Sequence, residues 1–165
     1  MKASLSETLS LWRIVPGNDA VRAMSGSGGM TNNGRWHTRG RLIVYLATIP
    51  SLAILEILVN TTSEQLSTRN YHLMEVILPW GSTEVFDLTR LPQGWNNPDR
   101  VQATADLGNA WIDQREHVAL RVPSAAVPLK VQALEHNYLI NPLHTRWTER
   151  QVTQVLPLPF ARRLK

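Results

Sequence analysis

The sequence predicts an α+β fold: one compact domain over residues 1–165, with a mixed, mainly antiparallel β core and a few helices. Three observations predict it. The chain has 165 residues, 43 % apolar and 18 % charged, which suits a folded domain with a sizeable core and excludes a disordered chain. Short apolar or alternating runs bounded by Pro, Gly and Asn recur along it. Only about two segments are patterned as helices, and strands and helices do not alternate, which argues against a doubly wound parallel sheet.

Residues 11–16, Leu-Trp-Arg-Ile-Val-Pro, read as the first strand. Residues 17–34 are a long connection rich in Gly, Ser and Asn, and such connections are usually functional or disordered. Residues 41–48 read as a second strand, Pro50 opens a helix to about residue 61, and an extension toward Leu66 is left open. Residues 71–79 alternate as a strand, and 84–88 follow as another after a Gly81-Ser82 turn. A Pro/Gly/Asn loop over 91–97 carries Trp95. Residues 98–115 read as a helix with Asp99 in its first turn, although Gly108 weakens it by about 1 kcal/mol. Residues 117–123, 137–142 and 151–160 complete the extended segments.

Composition removes several function classes. There is no cysteine, so disulfides, thiolate catalysis and cysteine zinc sites are excluded. With no export signal in residues 1–10, a cytoplasmic protein is expected. Residues 42–59 are apolar enough to resemble a membrane span, but Pro50 interrupts them and Glu56 would cost roughly 2.5–3.5 kcal/mol in lipid; a strand followed by a helix is the better reading. The excess of 17 Lys and Arg over 13 Asp and Glu permits a nucleotide or phosphate ligand without indicating direct nucleic-acid binding. Residues 161–165, Ala-Arg-Arg-Leu-Lys, read as a solvated tail.

The candidate chemistry centres on Glu56, the lone carboxylate of residues 50–59. At helical spacing it shares a face with Leu52, Leu55 and Val59, while Ile54, Ile57 and Leu58 lie opposite, so the helix is expected to be buried all round. An ionised group there needs a partner or a task. Spacing leaves both readings open: a structural carboxylate, paired with a buried Arg or capping a backbone group, and a functional one. Arg35, in Gly34-Arg35-Trp36, suits an anionic ligand, with an exposed surface Arg as the plainer alternative. Gly34 is expected to supply backbone freedom and Trp36 a wall. The strand and helix between Arg35 and Glu56 are placed to bring both to one pocket. Tyr45 faces the side of Ile43 and Ala47, where a core Tyr with a satisfied hydroxyl is the commoner case. Ser124 lies at a strand end and suits a ligand contact or a turn cap; without a Gly-x-Ser-x-Gly elbow it is not a hydrolase nucleophile. His37, His72, His117, His136 and His144 show no metal-ligand spacing, so no metal is expected.

In order and spacing, Gly34-Arg35-Trp36, Val44-Tyr45-Leu46, Ala53-Ile-Leu-Glu56, Leu107-Gly-Asn-Ala-Trp111, Leu120-Arg-Val-Pro-Ser124 and Asn137-Tyr-Leu-Ile-Asn-Pro-Leu-His144 together resemble the RES-domain family, toxins of a bacterial toxin–antitoxin type. The resemblance runs from Trp12-Arg13 to about Leu164. It implies an ADP-ribosyltransferase-like fold and cleavage of NAD, as substrate, at the nicotinamide–ribose bond by hydrolysis or phosphorolysis. It implies Arg35, Tyr45, Glu56 and Ser124 as the active-site set. Arg13, Trp36 and Asn137 are the further NAD-binding candidates: Arg13 and Asn137 fall where the family keeps polar residues, and Trp36 is the expected wall. Implied partners are NAD, inorganic phosphate in the phosphorolytic case, and a cognate helix-turn-helix antitoxin; a homo-oligomer is left open. The chain departs from the family at Asn33, where a second glycine is common, at His37, where Asn is common, and at its C-terminal end, where an Asp before Arg-Leu is common and the chain has Ala161-Arg162-Arg163-Leu164. The alternatives are a protein mono-ADP-ribosyltransferase using NAD and a non-enzymatic nucleotide-binding module in which Glu56 is structural.

Overall fold

Seven strands build the core: β1 Thr8–Pro16, β2 Val44–Ala47, β3 Tyr71–Pro79, β4 Thr83–Val85, β5 Ala119–Pro123, β6 His136–Ile140 and β7 Gln151–Pro157. The helices are α1 Ala20–Ala23, α2 Gly28–Thr31, α3 Pro50–Asn60, α4 Ser63–Thr68 and α5 Gln102–Gln114. The computed structural model describes residues 8–79, 81, 83–99, 101–131 and 134–160. The predicted tail over 161–165, Ser82 of the predicted turn and Arg100 of the predicted helix lie outside the described residues.

The strands form one sheet in the order β4-β5-β6-β2-β1-β3-β7. The β4–β5 pair is parallel and the others are antiparallel, so the predicted α+β class with a mainly antiparallel core is borne out. The sheet has a seam. β1 pairs with β3 from Thr8↔Pro79 to Pro16↔Tyr71, and β2 pairs with β6 along its whole length. Between β1 and β2 the register holds at one pair, Trp12↔Ala47. Two strand blocks therefore meet along an edge where the register holds at a single pair.

Period-two alternation sorts the side chains between two faces. Leu11, Val15, Val44, Leu46, Met74, Val76, Tyr138 and Ile140 fill one face, closed by Met24 and Trp147. Leu120, Val122 and Leu139 on the other face pack against Trp111 and Ile112 of α5. Ile14, Ala47 and Leu73 on that same face pack against Leu52 and Ala53 of α3. Helix α3 thus lies over the seam.

Pro50 occupies the first turn of α3, as predicted. The helix does not run on to Leu66. Thr61 is extended, and Thr62 starts α4 with a capping box to Gln65. Nor is α3 buried all round: Leu52 and Ala53 are buried, Ile54 to Leu58 are half-buried, and Val59 is 59 % exposed. One side of the helix meets the sheet and nothing described covers the other. Residues 98 and 99 are not helical either; the Asn97 side chain accepts the Asp99 N–H in a turn, and α5 begins at Gln102. Leu88 leaves the predicted strand because Asp87 accepts the Thr89 N–H and curls the chain. The connection over 17–34 contains the single-turn helices α1 and α2. Among the described residues no helix is long and apolar enough to cross a membrane.

Candidate active site

Glu56 projects from α3, and its Oε1 accepts two hydrogen bonds. Ser124 Oγ, just beyond the end of β5, donates at 2.7 Å, and Asn137 Nδ2, on β6, donates at 2.6 Å. Both donors come from the sheet block on the β2 side of the seam. Asn137 lies opposite Ala47 of β2 and Val122 of β5, so the strand register sets its place. Ser124 is fully buried and also accepts the Ala126 N–H at 3.1 Å, which holds its hydroxyl oxygen in a turn. Two donors on one oxygen fix the carboxylate plane. Among the described residues nothing donates to Oε2, the oxygen left for other work.

Arg35 approaches from the connection before β2. It forms no direct ion pair with Glu56 among the described residues. Its Nη1 donates instead to the carbonyls of Trp95 (2.5 Å) and Asn97 (3.4 Å), in a loop turned by Gly94 at φ +69°. Desolvation pulls the guanidinium below its ordinary pKa, and the charges of Glu56 and then Tyr45 pull it back up. Arg35 and Glu56 therefore share one electrostatic environment without touching, and among the described residues no arginine pairs with Glu56. The Arg35 carbonyl accepts from Thr104 Oγ1 of α5 at 2.7 Å, which anchors the backbone at this point.

Tyr45 lies on β2 between these groups. Its hydroxyl accepts the Trp36 N–H at 3.3 Å and meets His37 Nδ1 at 2.7 Å. Burial raises its pKa above the ordinary phenol value; the Trp36 N–H and Arg35 oppose the shift and Glu56 adds to it. The group is a neutral phenol in the range of both charges. Gly34 has a spatial task rather than the expected conformational one. Its φ is not positive, and a Cβ there would lie 2.5 and 2.6 Å from His37 ring atoms and 2.8 Å from the Tyr45 hydroxyl.

Two candidates sit differently from expectation. Trp36 is 2 % exposed and packs edge-on to Phe86 with centroids 5.2 Å apart, so its ring belongs to the core and only its N–H serves the Tyr45 hydroxyl. Arg13 has the parity of Leu11 and Val15, whose side chains fill the face opposite α3. Burial lowers its pKa to about 10, and its buried Nη1 has no hydrogen-bond partner. The structure thus gathers Glu56, Ser124 and Asn137 by contact, places Arg35 and Tyr45 within their field, and leaves Arg13 at the β1 edge of the seam. Sequence reading did not place His37 in this group. The available signal was the departure from Asn at that position. A groove of about 560 Å³ lined by Leu66, Arg69, Tyr71, His72 and Phe160 lies at the far edge of β3 and does not include these residues.

Comparison with known proteins gives a consistent result. The family model for the RES domain matches residues 10–161. A "Toxin Res" of Photorhabdus laumondii is 35 % identical over 133 residues, 81 % of each chain. A "Toxin Res" of Yersinia enterocolitica is 29 % identical over 93 % of this chain and 96 % of its own. A "Prs ADP-ribosylating toxin" of Sphingobium sp. is 35 % identical over 142 residues, 83 % of this chain and 84 % of its own. Among solved structures, the M. tuberculosis MbcT–MbcA toxin–antitoxin complex contains a chain that matches with a TM-score of 0.69 at 18 % identity, over 93 % of this chain and 85 % of that one.

Proposed function

This chain belongs to the RES domain family, and on that premise we propose that it is the toxin of a toxin–antitoxin pair, acting by cleavage of the nicotinamide–ribose bond of NAD. One observation carries the reading: Glu56 is held through Oε1 by Ser124 and Asn137, while among the described residues Oε2 has no donor. When nicotinamide leaves with the electrons of the C–N bond, positive charge develops on the ribose carbon. A fixed carboxylate facing that carbon stabilises the charge where it forms. Arg35 supplies a cation for the pyrophosphate or for an attacking phosphate. Arg13, whose side chain has the parity of Leu11 and Val15 on the opposite face of the sheet, is given no part in this step. Tyr45 contacts the ribose. Water or phosphate then adds to the ribose carbon and gives up a proton, completing hydrolysis or phosphorolysis.

The name of the Sphingobium relative supports a second reading, transfer of ADP-ribose to a protein. Purified chain incubated with labelled NAD separates the cases. Phosphate-dependent loss with a phosphorylated ADP-ribose product supports phosphorolysis, and equal loss without phosphate supports hydrolysis. Label on a protein with little free product supports transfer. Intact NAD and unlabelled protein would sink all three. The M. tuberculosis neighbour, described as part of a toxin–antitoxin complex, supports an antitoxin partner here, which we expect to carry a helix-turn-helix domain and to cover the cleft.

A further inference from the structure

His37 is 4 % exposed, and both its ring nitrogens are used. Nε2 lies 3.0 Å from the carbonyl of Asn32, at the end of α2, and Nδ1 lies 2.7 Å from the Tyr45 hydroxyl. The ring packs against Gly34: a Cβ there would lie 2.5 Å from Cε1 and 2.6 Å from Nδ1. A carbonyl can only accept, so the proton of a neutral ring sits on Nε2. Nδ1 is then an acceptor, and the Tyr45 O–H must donate to it. The Tyr45 oxygen also accepts the Trp36 N–H. Its one proton and one of its two lone pairs are spent, and one lone pair remains. The charged group acting on the ring from outside is Arg41, itself paired with Asp113 of α5, and its cation works against a second proton.

We propose that His37 is a positioning residue: it holds the Tyr45 proton, and so makes the Tyr45 hydroxyl a hydrogen-bond acceptor toward substrate, matched to a ribose hydroxyl of NAD. The inference rests on the reading of Tyr45 as part of the NAD site. It assigns a task to a residue at which this chain departs from the common family pattern. It also explains why Gly34 has no side chain where the imidazole lies.

Two substitutions discriminate. His37→Asn places an amide oxygen near the Nδ1 position and keeps an acceptor for Tyr45. His37→Gln keeps a donor near the Nε2 position and loses that acceptor. NAD binding, followed by calorimetry, is expected to weaken about tenfold in His37→Gln and His37→Leu and to return to within about threefold of wild type in His37→Asn, the size of one net hydrogen bond. In a Tyr45→Phe background, His37→Leu is expected to add nothing. Additive losses in that background, or rescue by Gln and not by Asn, would overturn the inference while leaving the NAD site standing. A folded Tyr45→Phe protein that binds NAD as the wild type does would overturn the placement of Tyr45, and the inference with it. The ring nitrogens give a readout independent of NAD. ¹⁵N spectra of the wild type should show His37 protonated at Nε2 with Nδ1 bare, and protonation at Nδ1 would overturn the inference even in a protein that does not bind NAD.

Discussion

At the scale of single residues, the site is a carboxylate whose two oxygens have unequal surroundings. Ser124 and Asn137 both donate to Oε1. Removing one donor loosens the carboxylate without removing its charge. Ser124→Ala is therefore expected to lower NAD turnover by about tenfold, the worth of one hydrogen bond to a charged group. The Asn137→Ala variant should behave alike, and initial rates at saturating NAD check both. A loss in either variant as deep as deletion of Glu56 would mean that the donor contacts substrate itself. None of this triad was legible from local pattern. The sequence separations are 68 and 81 residues, and only family resemblance linked the three. Glu56 itself was legible, because a lone carboxylate in an apolar helix stands out against its neighbours.

At the scale of elements, the backbone of residues 34–37 is clamped between α5 and β2. Gly108 of α5 shows how tightly. A Cβ there would lie 1.9 Å from the Trp36 carbonyl oxygen and 2.8 Å from its carbonyl carbon. In the sequence Gly108 weakened the case for a helix; in the fold it is the point where α5 touches the strip that carries Arg35. Gly108→Ala should raise helix propensity by about 1 kcal/mol, yet the overlap with backbone should cost more, so a net loss of about 1–3 kcal/mol is expected. Thermal unfolding measures it, and an unchanged or higher midpoint would contradict the packing. Element type was readable wherever an apolar run was bounded by a strong breaker, as at Pro50 and over β3. Boundaries were missed where side chains cap locally: Thr62 and Gln65 stop α3 from extending, Asn97 delays α5 and Asp87 ends β4 early. The burial of α3 was misjudged for another reason: composition shows that a helix is apolar and not how many layers cover it.

At the scale of the molecule, the seam between β1 and β2 places the site. Helix α3 spans two strand blocks joined at Trp12↔Ala47, so acid that loosens the fold should also reach Glu56. Burial is the largest cause lowering the pKa of His37, and likewise of His136. The unfolded chain, with histidines near 6.5, takes up protons more readily than the folded one. The stability these neutral histidines contribute is thus complete above about pH 6.5 and is lost as the pH falls through their folded values. The thermal midpoint should drop between pH 7.5 and pH 5.5, and less so in His37→Asn; a flat profile would contradict the buried neutral ring. Under the proposed function Glu56 serves bond cleavage rather than holding the fold. The direct measurement is nicotinamide release from NAD by wild type and by Glu56→Gln, with NAD binding and thermal midpoint recorded on the same samples. The expected result is a folded Glu56→Gln protein that binds NAD within a few-fold of wild type and releases nicotinamide at least about 100-fold more slowly. A folded Glu56→Gln protein that releases nicotinamide at the wild-type rate would contradict it.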